Sequence, residues 1–489
     1  MKTIGLIPLD SRPCNTLWLE QLAKIAGYNM LMYPRKSCGD LFKGASFLDQ
    51  LAWLKENAQE FDYLIISLDG LTSGGLVQTR TGNANLELIN ANLNFLAELK
   101  ALNPNLKIYL FDTLMRTSIT TLSNETAKYW ALMNEFSRLK GEIYFNNREE
   151  DRKKLDEITK QIPNEIIEKY LNARNIKHTI DKLAIDLVKQ GLADYLIILQ
   201  EDSMPNGIQQ IEQSTLISLI NENNLNDKIK FYNGTDEGAL LLFAKIILLD
   251  NNLAPNIYLH LPYAGALDKT MLFEDRPFIT NLKLMFETIN FKFSSYEDAD
   301  FVLSIYTEKE NVDLDLATTK EVKPTNDAIF KNYINELNTY IKEKDVCFVD
   351  LLFPNGGSTD ILKLIDFKNL KCYSAWNTAS NSLGSALANV ASMIVAKHNK
   401  LNSLDLATNF KLERILDDAL YQYEVRRIVS EKLLEENVNI YNLGNKGEEV
   451  LALVTKLMEE KAIEYTEKKF TVTLPWNRMF EAEIIIKGE

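Results

Sequence analysis

The sequence predicts an α/β protein, and two features of the chain indicate this class. Short runs rich in isoleucine, leucine, valine and tyrosine recur along the chain and are apolar on both faces, as strands of a helix-covered parallel sheet must be. Longer segments with helical spacing separate these runs, and such alternation favours parallel pairing. We therefore expect a (β/α)8-like barrel of mostly parallel strands, with two Rossmann-like lobes as the alternative.

The expected strands are ten segments that lack the apolar–polar alternation of a half-exposed sheet. They are Thr3–Leu9, Met30–Tyr33, Tyr63–Leu68, Lys107–Phe111, Tyr195–Leu199, Ile229–Tyr232, Ile257–Leu261, Phe301–Ile305, Val346–Val349 and Leu370–Ser374. Ten strands fit two lobes almost as well as they fit one barrel with additional strands.

Two regions interrupt this rhythm. Residues 146–190 are charge-rich with helical spacing, which predicts a solvated helical insertion. From residue 400 the chain carries further helical segments and ends in KKFTVTLPWNRMFEAEIIIKG, which alternates like a half-exposed strand. We therefore predict a catalytic α/β domain over residues 1–399, with the insertion at 146–190, and a C-terminal helical cap with a closing strand over residues 400–489.

Composition excludes several classes of protein. The chain has 489 residues, a net charge of −14 and 46% hydrophobic residues, which is too apolar for disorder and too acidic for nucleic-acid binding. The apolar stretch Ala239–Leu249 is too short to cross a bilayer, and the N-terminal stretch does not have the pattern of a signal peptide. We expect a cytoplasmic protein that binds neither nucleic acid nor membrane; the sequence leaves the oligomeric state open.

Histidine and cysteine offer little chemistry here. His178, His260 and His398 are the three histidines, and each is expected to be a surface or satisfied core residue. The four cysteines lack zinc or redox spacing and are expected to be reduced. No metal or cofactor is predicted, so proton transfer in an enzyme of this sequence would fall to carboxylates.

A polar or glycine-rich cluster follows the last apolar residue of nearly every predicted strand. In parallel α/β folds these strand ends share one face, where ligands bind. Ordinary turns also use glycine, asparagine and aspartate, but they have no need of guanidinium or indole groups. We therefore predict a shared polar site. The residues predicted to bind substrate there are Asp10, Arg12, Asp69, Arg80, Arg116, Trp376, Asn377 and Asn381.

Two pairs of adjacent acids follow neighbouring strands. Glu201 and Asp202 are the predicted catalytic pair, because adjacent carboxylates point in different directions and their crowding separates their pKa values. Asp236 and Glu237 repeat the arrangement and are reserve catalytic residues. Capping of the following helix is the alternative explanation for both pairs.

The arginines and the tryptophan of the predicted site each have two explanations. The arginines could bind substrate hydroxyls or anions, or they could pair internally with Asp10, Asp69 and Asp112 in a structural network. Trp376 and Asn377 suit a sugar site, because an indole stacks on a pyranose face and an amide binds hydroxyls. A core position and a helix cap would also explain them.

Together these clusters resemble the family catalogued as domain of unknown function 4127, and the resemblance runs in order along nearly the whole chain. The matching motifs are PLDSRPCN (8–15), SLDGLTSGGLVQTR (67–80), DTLMR (112–116), QEDSMPNGIQQIE (200–212), GTDEGALLL (234–242), EDRP (274–277), YSAWNTASNSLGSALA (373–388), LDDALYQYEVR (416–426) and LPWNRMFE (474–481). Ser11 stands where we expect an acid and Glu201 where aspartate is commoner, but neither change removes a carboxylate pair. The family name implies no activity.

A weaker analogy in motif placement links the chain to barrel hexosaminidases that use substrate-assisted catalysis. In those enzymes one of two adjacent acids orients the substrate acetamido group and its neighbour protonates the leaving oxygen. By this analogy Glu201 and Asp202 would take the two roles, in an order that the sequence does not fix. Asn377 or Asn381 would hold the acetamido or hydroxyl groups.

The hypothesis is therefore a glycoside hydrolase that acts on a small saccharide, N-acetylated sugars included. Two alternatives come from other classes. One is a metal-dependent hydrolase or lyase with Asp10, Asp69, Asp202 and Asp236 as oxygen ligands. The other is a two-lobed sugar- or anion-binding protein.

Overall fold

The computed structural model describes residues 1–92, 94–120, 128–312 and 323–487. Within them the chain divides into two compact units, each containing a parallel sheet. The first unit comprises Met1–Leu19, Tyr28–Leu242 and Phe273–Arg276, and the second comprises Glu20–Gly27, Phe243–Leu272 and Pro277–Glu489. Residues 400–489 belong to the second unit; the predicted domain boundary at residue 399 stays a prediction.

The first unit contains a six-stranded parallel sheet in the order β2-β1-β3-β4-β5-β6. Its strands are β1 (Thr3–Ile7), β2 (Asn29–Met32), β3 (Tyr63–Ser67), β4 (Lys107–Leu114), β5 (Tyr195–Gln200) and β6 (Ile229–Asn233). Every residue of β5 is buried, because helices cover both faces of a parallel sheet and its strands need apolar side chains on both. All carboxyl ends of these strands lie at the same edge, which places the polar clusters that follow them at that edge.

The helices of the first unit are mostly short. They span Phe47–Asn57, Leu76–Thr79, Leu86–Ala91, Phe95–Leu102, Trp130–Asn146, Glu149–Thr159, Asn164–Lys189 and Ile208–Glu222, with tighter turns at Pro13–Asn15, Arg35–Ser37 and Ala58–Glu60 and a π-helical turn at Asp69–Ser73. Two further helices, Leu17–Ala26 and Gly238–Asp250, contain residues of both units.

The charge-rich insertion is helical as predicted, but it is not simply solvated. Helix Asn164–Lys189 buries a face that includes Tyr170, Arg174, Lys177 and Asp181. These residues recur three or four positions apart, which is the spacing of one side of an α-helix. The insertion therefore supplies buried charges to the first unit, although its composition is that of a solvent-exposed helix.

The second unit contains a five-stranded parallel sheet in the order β8-β7-β9-β10-β11. Its strands are β7 (Asn256–His260), β8 (Lys292–Phe293), β9 (Phe301–Tyr306), β10 (Val346–Asp350) and β11 (Cys372–Ser374), and its helices are Phe278–Ile289, Ala328–Glu343, Thr359–Leu362, Ala379–His398, Leu404–Arg414, Arg426–Glu435 and Gly447–Ala462. A π-helical segment, Ile415–Val425, joins two of these helices, and a tight turn precedes the last at Gly444–Lys446.

The α/β class and the ten predicted strands are confirmed, whereas the single (β/α)8-like barrel is not. Strands β1 to β11 form two separate parallel sheets, whereas a barrel requires one sheet that closes on itself. The strand missed by the prediction is β8, which has two residues and is too short to give a sequence pattern. In each sheet the first five strands run in the order second-first-third-fourth-fifth, an order that is common in open doubly wound sheets; the six-stranded sheet adds β6 after β5.

The C-terminal segment forms two strands, so the prediction of one closing strand is wrong. β12 (Phe470–Thr473) pairs antiparallel with β13 (Glu483–Ile486). A turn at Pro475–Asn477 separates them, and Trp476 and Asn477 adopt positive φ angles of 57° and 52° there. The sequence pattern was interpreted as one strand, but the chain reverses direction at this turn and forms two.

Two further expectations concern the cysteines and membrane-spanning helices. Cys14, Cys38, Cys347 and Cys372 are free thiols, as predicted. No helix in the described ranges combines the length and the apolar character needed to cross a bilayer. A cytoplasmic location stays a prediction.

Candidate functional site

The predicted site residues of the first unit follow strands β1, β3, β4, β5 and β6 at the carboxyl edge of the six-stranded sheet. They form three clusters of ion pairs, each built from residues far apart in sequence. Some partners follow neighbouring strands and others follow strands that are further apart in the sheet, such as β1 and β6.

The first cluster joins the ends of β1 and β6. Arg12 donates from Nη2 to Asp10 Oδ2 at 2.8 Å and to Asp236 Oδ1 at 2.5 Å. Asn15 donates to Asp10 Oδ1 and to Asp236 Oδ1, each at 3.0 Å. All four residues are buried. Arg12 therefore forms ion pairs within the protein, which is one of the two explanations that the sequence left open. Asp10 is the expected partner, and Asp236 is an additional one.

The second cluster joins the ends of β3 and β4 to helix Asn164–Lys189. Lys177 Nζ donates to Asp112, lies 2.7 Å from Asp181 Oδ1 and lies 3.3 Å from Asp69 Oδ1. Asp69 also accepts from the backbone N–H of Thr113 at 2.8 Å. Burial raises the pKa of Asp112, and the neighbouring carboxylates add to this effect while Lys177 opposes it. One ammonium thus neutralises part of a buried group of three acids.

Sequence reasoning missed Lys177, because the residue lies in the segment that was expected to be solvated. A signal was present: Tyr170, Arg174, Lys177, Asp181 and Ala184 occupy one helical face. Charged residues within an otherwise apolar face indicate buried ion pairs rather than a solvated surface.

The third cluster contains the predicted catalytic pair at the end of β5. Arg80 Nε donates to Glu201 Oε2 at 3.2 Å, and its Nη2 contacts Glu201 Oε1. Arg116 Nη2 contacts Asp202, and its backbone N–H donates to Glu201 Oε2 at 3.2 Å. The predicted partners Asp69 and Asp112 belong instead to the cluster around Lys177.

The adjacent acids of this third cluster differ in exposure. The side chain of Glu201 is 3% exposed, whereas that of Asp202 is 32% exposed. Arg116 is also partly exposed. Asp202 and Arg116 are therefore the charged groups of this cluster that a molecule from solvent can reach, and Glu201 lies behind them.

Glu237 differs from the other acids in that none of its hydrogen bonds to described residues comes from a cation. Its Oε2 accepts from the backbone N–H of Thr235 at 2.9 Å, and its buried Oε1 has no hydrogen-bond partner among the residues that the structure describes. Burial raises the pKa of Glu237 to about 8, and the charges of Asp236 and Glu274 act in the same direction. The carboxyl group therefore keeps its proton at neutral pH. Gly234, with a φ of 146°, passes so close that a Cβ there would lie 1.5 Å from Glu237 Oε1.

A family model described as "Protein of unknown function (DUF4127)" matches residues 4–485. The chain belongs to this family. The match confirms the resemblance that the ordered motifs carry. No curated protein and no solved structure is significantly similar to the chain.

In this DUF4127 member, Trp376, Asn377 and Asn381 belong to the second unit, after β11. Trp376 is buried, and its carbonyl accepts from the Ser382 hydroxyl at 2.8 Å. Asn377 has a φ of 64°, and the Asn381 amide donates to Thr378 Oγ1 at 2.8 Å. Trp376 therefore occupies a core position, which is one of the two explanations that the sequence left open.

The acids named for a metal site lie in three different clusters of this DUF4127 protein. Asp10 and Asp236 share Arg12, Asp69 contacts Lys177, and Asp202 contacts Arg116. Among the described residues, no group of three or more histidine, cysteine, aspartate or glutamate side chains has an arrangement that could hold a metal ion. The donor arrangement therefore does not favour the metal-dependent alternative.

Proposed function

We propose that the acid pair at the end of β5 forms the centre of a glycoside hydrolase site that acts on a small saccharide, N-acetylated sugars included. The observation that carries the proposal is the contact of two arginines with the two acids, Arg80 with Glu201 and Arg116 with Asp202, while Arg116 Nε also lies 4.0 Å from Glu201 Oε1. Two acids and two arginines balance in charge and present both donors and acceptors. That combination suits the hydroxyl groups of an uncharged sugar better than it suits an ion.

Within this proposal the two adjacent acids have different roles. Asp202 is the carboxylate that contacts the sugar, because it is the more exposed of the pair. It would act as the base or orient an acetamido group. Glu201 contacts Arg80 and the backbone of Arg116, so it fixes the geometry of the arginines rather than reacting itself.

The proton donor in this proposal is Glu237, one of the reserve catalytic residues. An acid that keeps its proton at neutral pH, next to a carboxylate paired with an arginine, is a combination that suits acid/base hydrolysis. The pKa of Glu237 is raised to about 8 by burial, whereas Asp236 is bound to Arg12. Because Glu237 is buried, the turn at residues 234–237 has to open for the proton to reach a leaving oxygen.

The test is release of nitrophenol from a panel of nitrophenyl glycosides that includes N-acetylhexosaminides. We expect Asp202→Asn to lower kcat on the order of a hundredfold or more, as loss of an acid/base residue does. Asp227→Asn is the matched control, because Asp227 is an exposed aspartate at the opposite edge of the same sheet, before β6. Full activity of Asp202→Asn, or no release from any glycoside by the unchanged protein, would contradict the proposal.

The strand order shared by the first five strands of each sheet favours two Rossmann-like folds as the finer description of the architecture, and with it a second candidate function. This is a sugar- or anion-binding protein without turnover. Isothermal titration calorimetry with the free sugars of the panel, and with phosphate and sulfate, distinguishes the two. Saturable heat without any nitrophenol release would favour the binding protein.

A further inference from the structure

Arg174 is a buried residue of helix Asn164–Lys189 that the proposed chemistry does not use. Its side chain is 3% exposed, and it forms a two-pronged ion pair with Glu212 of helix Ile208–Glu222. Nε donates to Glu212 Oε1 at 2.8 Å and Nη2 donates to Oε2 at 2.5 Å. Glu212 is the last residue of the motif that begins at Gln200 and contains the acid pair. The ion pair fixes the plane of the guanidinium group.

The remaining donors of Arg174 bind the backbone of the loop that follows β4. Nη1 donates to the carbonyl of Arg116 at 2.6 Å, and Nη2 donates to the carbonyl of Met115 at 3.2 Å. Tyr170, one turn earlier on the helix, donates its hydroxyl to the carbonyl of Thr117 and accepts from Arg174 Nη1 at 3.1 Å. Three consecutive carbonyls are thus held from one helical face.

The same loop binds the acid pair on its other side. The N–H of Arg116 donates to Glu201 Oε2 at 3.2 Å, and the N–H of Thr117 donates to the carbonyl of Asp202 at 3.0 Å. The guanidinium of Arg116 contacts the Asp202 carboxylate. Residues 115–117 therefore lie between Arg174 and the two acids, with their carbonyls bound on one side and their amides on the other.

From these contacts we infer that Arg174, fixed by Glu212, is a positioning residue for the acid pair: it sets the loop 115–117, and the loop sets Arg116, Glu201 and Asp202. The inference rests on the proposed function for its catalytic consequence. It assigns a role to the charge-rich insertion, which supplies Arg174. A lysine cannot replace it fully, because one ammonium has the charge but not the planar fork that reaches Glu212 and two carbonyls together.

The experiment compares Arg174→Lys and Glu212→Gln with Arg138→Lys. Arg138 is the matched control, since it also forms a two-pronged pair, with Glu135 at 2.7 and 2.6 Å, on helix Trp130–Asn146. The first measurement is hydrogen exchange of the amides of Arg116 and Thr117, which requires no activity. We expect exchange about tenfold faster in Arg174→Lys, the equivalent of one lost hydrogen bond, with unchanged exchange in β5 and in Arg138→Lys.

The second measurement separates kcat from KM on the glycoside that the unchanged protein cleaves. Displacement of the acid pair should lower kcat by roughly tenfold to a hundredfold in Arg174→Lys, and less in Glu212→Gln, while KM changes little. Exchange at Arg116 and Thr117 equal to that of the unchanged protein overturns the inference. A rise spread evenly over the whole first unit does so too, because it would indicate a merely structural role.

The two proposals fail in distinguishable ways. Absence of turnover by the unchanged protein overturns the glycosidase proposal and with it the catalytic consequence, but the exchange result still decides whether Arg174 sets the loop. Turnover that is unaffected by Arg174→Lys, together with faster exchange, overturns the catalytic consequence alone. If Arg174→Lys does not fold, Glu212→Gln decides, since Glu212 is less buried than Arg174.

Discussion

Lys177→Met is expected to destabilise the first unit strongly. Lys177 and its partners Asp69, Asp112 and Asp181 are 0–2% exposed, and the ammonium lies within 3.3 Å of a carboxylate oxygen of each acid. Methionine retains most of the apolar stem but removes that charge. Breaking a buried ion pair by removing one partner costs about 3–5 kcal/mol, which is a large part of the roughly 5–15 kcal/mol that stabilises a typical domain.

The loss should depend on pH in a defined direction. Without the ammonium, the folded-state pKa of Asp112 rises further above its unfolded value, because burial already raises it and Lys177 opposes that rise. Such groups contribute stability below the unfolded pKa and lose it as the pH rises through the folded pKa. The deficit of Lys177→Met is therefore smaller at pH 5 than at pH 8. Adding Asp112→Asn should recover part of it.

Urea unfolding, followed by circular dichroism at both pH values, measures this difference. Lys169→Met is the control on the same helix, because Lys169 pairs with Glu165 at the surface and is 72% exposed. Exposed pairs contribute about 0–1 kcal/mol. A free energy of unfolding for Lys177→Met within about 1 kcal/mol of that control at pH 8, or a deficit that shrinks as the pH rises, would refute the reasoning.

Three further predictions follow from buried groups. Because the folded-state pKa of Glu237 is raised to about 8, the stabilising effect of this residue is lost as the pH rises towards 8. In urea unfolding, Glu237→Gln should flatten this decline of the free energy of unfolding with pH. An unchanged pH dependence in the variant would contradict the prediction. Burial lowers the pKa of His260 to about 4, so in NMR spectra its ring resonances should shift near pH 4 and not near pH 6.5. The free energy of unfolding should fall as the pH drops from about 6.5 to about 4. Gly70→Ala would place a Cβ 2.0 Å from the carbonyl oxygen of Pro8 and should lower the free energy of unfolding by about 1–3 kcal/mol through overpacking. The control is Gly191→Ala at an exposed glycine, where no atom of the described residues lies within 4 Å of the added Cβ and the loss should come from the positive φ alone.

The sequence predicted which residues of the site lie together, because they directly follow predicted strands. The acids and arginines after β1, β3, β4, β5 and β6 stand at one edge because a parallel sheet aligns its carboxyl ends. Their partners were harder to predict. Arg12 does pair with Asp10, but Arg80 and Arg116 pair with Glu201 and Asp202, more than eighty residues away. Spacing along the chain reveals a cluster without revealing which charges meet across it.

The sequence by itself determined ten of the strands of the two parallel sheets and the α/β class, because both depend on local patterns: apolar runs of strand length, helical periodicity and the polar residues that follow each strand. Only the tertiary structure decided that the parallel strands form two sheets rather than one, since strand pairing is a contact between segments that are distant in sequence. It also decided that Lys177 and Arg174 are buried. A charged helix has the same composition whether its inner face meets water or carboxylates, and the difference lies in what the fold brings against that face.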